Sequence, residues 1–211
     1  MIWIDHIILG ARDPDSTSAR LFDEHGLASA PGGRHTGQGT GNRIIPMGRD
    51  YIELMTVVDA EEAKTSPMGR WVLDATRAGD RLLGWCLATD DLDAVATERG
   101  LPIVEMERAR PDGRILRWRL AGLDVAIAEP GVPFFIQWDV PDDEHPGRAE
   151  AAHRVAPLGI AWVEVSEAAR GARGWVGDDV PLRVVEGAPG LHRVGFGTDE
   201  GEMILGPAVF T

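Results

Sequence analysis

The chain has 211 residues, of which 44% are apolar and 26% charged, and its formal net charge is −13. This length and composition suit a globular protein with a substantial core, and the acidic balance argues against a phosphate-backbone partner, which draws on clustered Lys and Arg. The single cysteine, Cys86, excludes an intramolecular disulfide or a cysteine zinc cluster, and no apolar run approaches the ~20 residues of a membrane helix.

The chain opens on a strand, "WIDHIILGA", with no basic stretch before it, so the expected location is the cytoplasm. Asp13, Asp15 or Ser16 can cap the helix "STSARLFDEHG", which Gly26 terminates. The Gly/Pro-rich stretch "LASAPGGRHTGQGTGN" holds at most one weak strand. "RIIPMG" and "DYIELMTVV" then read as two strands about the turn "GRD", giving β-α-β-β-β over residues 1–60. A connecting helix over 61–80 has Met68, Trp71, Val72 and Ala75 as its apolar stripe.

The same order returns over 81–140. "LLGWCLATDDLDAVATERG" is a strand, an Asp-rich cap and a helix, "PIVEMERARPDGRILRWRLAG" is two strands about "PDG", and "PFFIQWDV" closes the unit. A shorter third copy over 157–211 reads strand, helix, strands. The unit strands fall near His6, Trp85 and Trp162, at separations of 79 and 77 residues, as duplication would produce. The fold class expected is α+β.

Strand alternation places His6 with Ile4 and Ile8, and Tyr51 with Glu53 and Met55. In the second unit it places Phe135, Gln137 and Asp139 on one face and Phe134, Ile136 and Trp138 on the other. Arg117 and Arg119 share a face, where they form either an anion clamp or an exposed charged surface. His35 in "GGRHTG" and His145 in "DDEHPGR" are candidates for reaching a cleft, with loop solvation as the competing reading. Asn42 and Arg43 can bind a carboxylate or carbonyl, although turn chemistry also explains Asn42. A dinucleotide fingerprint, a P-loop, a G-x-S-x-G elbow and an H-E-x-x-H helix are all missing from the sequence.

Taken together, "DHIILGARD", "GGRH", "GTGNRIIPMG", "YIEL", "LLGWCLATDDLDA", "PFFIQWD" and "HPG" resemble the vicinal oxygen chelate superfamily, most closely its glyoxalase-like branch. The likeness is good over roughly residues 1–150 and loose beyond them. It implies βαβββ units packed into curved, partly closed mixed sheets with helices outside. It also implies a divalent metal (Zn, Ni, Mn, Co or Fe) in the cleft, held from the first and last strand of each unit. By position the ligands would be His6, Glu53 and Gln137, and Glu53 or His35 would move a proton. Trp85 or Gly84 falls where a fourth ligand is expected and cannot ligate, so Trp85 becomes a candidate for stacking on substrate.

Three functional readings follow from the resemblance. One is a metal-dependent isomerase or lyase acting on a small α-hydroxy or α-keto carbonyl compound. Another is a metal-free protein that sequesters an aromatic or drug-like molecule. The third is an extradiol-type dioxygenase, which needs His35 or His145 to complete a two-histidine, one-carboxylate set. The partner in each is a small molecule, with neither nucleic acid nor membrane involved. Because such units often pair or swap, a homodimer is a further expectation.

Overall fold

The computed structural model describes residues 1–110, 112–166, 172–177 and 180–206. Its first unit runs β1 (Ile2–Gly10), α1 (Pro14–His25), β2 (Ala30–His35), β3 (Thr40–Pro46) and β4 (Tyr51–Val57). Asp13 caps α1 by accepting from the Asp15 and Ser16 N–H groups, and Gly26 ends it in the left-handed region at φ 71°. The Gly/Pro-rich approach forms β2, a strand built from "APGGRH".

The connection is two helices, α2 (Ala60–Ala63) and α3 (Pro67–Ala75), where the apolar stripe predicts one. Pro67, having no N–H to donate, starts a new helix, and Ser66 caps it by accepting from Gly69 N at 2.8 Å. The second unit runs β5 (Arg81–Thr89), α4 (Leu92–Arg99), β6 (Ile103–Ala109), β7 (Ile115–Ala121), α5 (Leu123–Ala128) and β8 (Phe134–Trp138). The short α5, which the sequence reading does not anticipate, follows a turn at Gly122 with φ 81°.

These eight strands close into a barrel of order β1-β4-β3-β2-β6-β7-β8-β5. The units meet along β1–β5 and again at β2–β6, where Arg34 pairs with Ala109 and His35 with Arg108. A Cβ on Gly33 would collide with the Ala109 carbonyl oxygen, so this glycine allows β2 to approach β6 closely enough to close the ring. The remaining elements are β9 (Pro157–Ser166), α6 (Ala172–Val176), β10 (Leu182–Val185), β11 (Leu191–Thr198) and β12 (Gly201–Leu205). They form a separate four-stranded sheet, order β10-β9-β11-β12. Residues 167–171, 178–179 and 207–211 of the expected third copy lie outside the described residues.

Two apolar cores result. The outer one joins Ile7, Leu9, Ile52, Leu54, Trp85 and Phe135 of the barrel wall to Leu21 of α1, Val95 of α4, and Val163 and Phe196 of the C-terminal sheet. The inner one holds Ile8, Met55, Cys86, Leu116, Trp118, Phe134 and Ile136 inside the barrel, with Met68 and Val72 of α3 packed against them. Strands apolar on both faces, such as "PFFIQW", are therefore walls between two cores.

Candidate active site inside the barrel

One irregularity of β1 sets the site. Along its pairing with β5, Ile4 lies opposite Leu87 and His6 opposite Cys86, so Asp5 is an extra residue in a β-bulge. The bulge suspends strict alternation and leaves adjacent Asp5 and His6 in hydrogen-bond contact, Oδ1 to Nδ1 at 2.6 Å. Asp5 is 1% exposed, and its other oxygen accepts from Trp138 Nε1 and His145 Nε2, each at 3.1 Å. Burial pushes this carboxyl up, but the hydrogen bonds from His145 and His6 outweigh it and hold the pKa at about 2. Asp5 is thus an anion, His6 donates to it through Nδ1, and the Nε2 edge of His6 is turned inward.

Glu53 meets that edge from β4. Its Oε2 lies 3.7 Å from His6 Nε2, and its Oε1 lies 3.5 Å from His35 Nε2. Oε1 also accepts from Asn42 Nδ2 at 2.5 Å. The orientation of the Asn42 amide is fixed because its Oδ1 accepts from Gly33 N at 2.9 Å and Arg108 Nη1 at 2.5 Å. One amide therefore bridges an interior carboxylate and an interior guanidinium. His35 holds Thr40 Oγ1 through Nδ1 at 2.9 Å. Burial pulls its pKa down to about 4, with Glu53 opposing and Arg108 and His6 adding to the fall, so the ring is neutral at pH 7.

Around these groups lie Tyr51, Met55, Met106, Trp118, Phe134 and Trp138, which line one chamber. The chamber suits a small ligand. Tyr51 stacks on His6 with ring centroids 4.7 Å apart, and Trp118 meets Trp138 at 5.2 Å. His145 packs edge-on against two of these rings, 5.3 Å from Trp138 and 5.7 Å from Tyr51.

The structure gathers His6, Glu53, His35, Asn42 and, through Asp5, His145, and it separates the other expected residues from them. Gln137 lies outside the barrel, where it accepts from Leu92 N at 3.0 Å and Arg119 Nη2 at 2.8 Å and donates to the Asp90 carbonyl. The face assignment on β8 is reversed from the expectation, Phe134, Ile136 and Trp138 pointing inward. With Phe134, Phe135 and Ile136 all buried, alternation carries no sign of which face is which. Trp85 is fully buried in the outer core and donates to the Gly131 carbonyl at 2.9 Å, out of reach of an interior ligand. Arg43 turns outward to Ser29 and Asp15, and Arg117 outward to Glu107, because Leu116, Trp118 and Leu120 take the inner face of β7.

Sequence reasoning passed over Asp5 and Arg108. Asp5 was hidden by the bulge, which no pattern of residue types announces. Arg108 left a faint signal, two residues after Met106 on a shared face, inside the charged run "EMERAR".

The donor set does not suit the divalent metal that the resemblance implies. His6 and Glu53 converge from the first unit, but Cys86, Phe134 and Ile136 occupy the inner positions of the second. Burial, with Asp5 and Glu53 adding to it, pushes the Cys86 thiol well up, which disfavours its thiolate. Among the described residues no group of three or more His, Cys, Asp or Glu side chains is arranged to hold an ion. The cationic Arg108, one amide away from Glu53, opposes a second positive charge there.

A family model described as a glyoxalase-like domain matches residues 4–200. A hypothetical protein from Staphylococcus aureus shares the architecture at a TM-score of 0.70 and 20% identity, covering 91% of this chain and 89% of that one. Methylmalonyl-CoA epimerase from Mycobacterium tuberculosis matches at 0.44 and 20% identity, over 63% of this chain and 85% of its own. A Streptomyces coelicolor epimerase in complex with 2-nitronate-propionyl-CoA matches at 0.45 and 19%, over 63% and 92%. No curated protein matches. The match over nearly the whole chain establishes that it belongs to the glyoxalase-like domain family.

Proposed function

We propose that the protein moves a proton on a small α-hydroxy or α-keto carbonyl compound held inside the barrel, and that it does so without a metal. The observation that supports this is the placement of Glu53 between the Nε2 edges of two imidazoles within an apolar chamber. Glu53 takes a proton from the carbon beside the carbonyl, and the electron pair passes to the carbonyl oxygen as an enolate. His6, held by Asp5 in the orientation that presents Nε2, exchanges protons with Glu53 and returns one to the substrate. Neutral His35 serves as a hydrogen-bond donor or acceptor rather than a cationic acid. The apolar walls exclude water from the charged intermediate.

The test is deuterium uptake at the carbon beside the carbonyl of acetoin in D2O, followed by NMR, with protein stripped by chelator. Exchange above the buffer rate is expected, falling about 10²–10⁴-fold in Glu53→Gln. Uptake no faster than buffer, or unchanged in that variant, overturns the reading.

A second reading, sequestration of an aromatic compound, is favoured by Phe134, Trp118 and Trp138 lining the chamber. Tight binding of such a compound with no exchange would favour it.

A further inference from the structure

Arg108 is a guanidinium placed where none should be left alone. It is 4% exposed, on β6 beside His35 of β2, and it lines the chamber. Among the described residues its one hydrogen bond goes to Asn42 Oδ1, a neutral amide, and no carboxylate lies within 4.0 Å of it. Burying a charge is costly unless an opposite charge and good hydrogen bonds offset it. The two interior carboxylates are engaged elsewhere, Asp5 with His6, His145 and Trp138, and Glu53 with Asn42.

We infer that Arg108 receives the carboxylate of the ligand, so that the barrel takes a small carboxylic acid whose reacting carbon lies one or two carbons from its acid group. The planar fork of a guanidinium matches a carboxylate with two parallel hydrogen bonds, a geometry no neutral isostere reproduces. The spacing narrows the class further. Arg108 and Glu53 are separated only by the Asn42 amide, which touches both. An acid anchored on Arg108 therefore offers Glu53 the hydrogen on the α carbon of a short 2-hydroxy acid, or the hydrogen on the carbon beyond the ketone of a short 2-oxo acid. Its apolar substituent lies against Trp118 and Met106, which line the same chamber. This deepens the proton-transfer reading and rests on it for the reacting carbon, while the anion preference stands on Arg108 alone.

The probes are isobutyrate and its neutral isostere isobutyramide, titrated against the full chain by intrinsic tryptophan fluorescence, since Trp118 and Trp138 line the chamber. The expected result is saturable isobutyrate binding at least about tenfold tighter than isobutyramide. That preference disappears in Arg108→Gln and is partly kept in Arg108→Lys. Equal binding of both probes to the unmodified protein, or of neither, overturns the inference whether or not the variants fold, and so does an undiminished preference in folded Arg108→Gln. Acetoin exchange without carboxylate preference removes this inference and leaves the proton-transfer reading. A carboxylate preference without exchange does the reverse.

Discussion

His145 donates its Nε2 proton to Asp5 across 3.1 Å, from a loop 140 residues further along the chain. Its tautomer is set by the loop itself, because Nδ1 accepts from Gly147 N at 3.1 Å and therefore carries no proton. One neutral histidine thus ties the segment after β8 to the bulge in β1, and Asp5 passes that constraint to His6. The orientation of the inner imidazole depends on a residue that never faces Glu53.

Replacing Asp5 should separate orientation from chemistry. In Asp5→Asn the anion that holds His6, His145 and Trp138 is gone, and stability at pH 7 is expected to fall by about 2–3 kcal/mol. The sign follows from the depressed pKa. The carboxyl titrates near 2 in the fold against 3.8 ordinarily, so its contribution is complete above about pH 4 and is lost as pH falls toward 2. Urea unfolding at a series of pH values should show the gap between Asp5→Asn and the unmodified protein closing across that window. A gap constant from pH 7 to pH 2 would contradict the assignment.

The sequence carried the duplicated units because caps and turns are local. Asp13 and Asp91 each satisfy the first N–H groups of their helices, and Gly26 and Gly100 each end one, at φ 71° and 65°. His6 and Glu53 were legible as interior because each sits within a mostly apolar strand. What escaped depends on contacts remote in the chain. The β8 wall is apolar on both faces, so Gln137 and Phe134 could not be assigned by period. Arg108 looks like a surface charge until β2 is seen to close against it.

Gln137 gives a direct check on that reassignment. Its oxygen accepts from the first residue of α4 and from Arg119, so Gln137→Ala is expected to cost about 1 kcal/mol of stability. Isobutyrate affinity and acetoin exchange should stay within about twofold of the unmodified protein, because the side chain lies outside the chamber. A large loss of either would place Gln137 back in the site.

Asp50 is expected to weaken the fold at neutral pH. Its Oδ2 accepts from Ile160 N at 3.0 Å, joining the barrel to the C-terminal sheet, while its Oδ1 is buried with no partner among the described residues. Burial, with Ile160 N–H opposing and Asp5 adding, lifts its pKa to about 6. With the folded pKa above the ordinary 3.8, the favourable contribution is present below about pH 4 and is lost as pH rises through 6. Asp50→Asn keeps an acceptor for Ile160 and removes the charge. It should raise stability at pH 7.5 by about 1–3 kcal/mol and change nothing at pH 4. A melting temperature at pH 7.5 that does not rise would show the carboxylate to be better accommodated than its surroundings indicate.

Gly32 tests whether the bridge between Glu53 and Arg108 matters as a unit. A Cβ there would overlap both the side-chain oxygen and the backbone carbonyl oxygen of Asn42, and backbone cannot swing aside as a flexible side-chain end can. Gly32→Ala must therefore displace Asn42, which releases Glu53 and Arg108 together. Stability is expected to fall by about 1–3 kcal/mol. At a temperature where the variant remains folded, acetoin exchange and the carboxylate preference should decline together, since both depend on the one amide. Gly174→Ala is the control, because a Cβ there meets nothing within 4 Å in α6, and helix propensity alone should leave it neutral or up to about 1 kcal/mol more stable. If Gly32→Ala lost stability yet kept both properties, Asn42 would be a packing residue and the coupling of the two charges would have to run by another route.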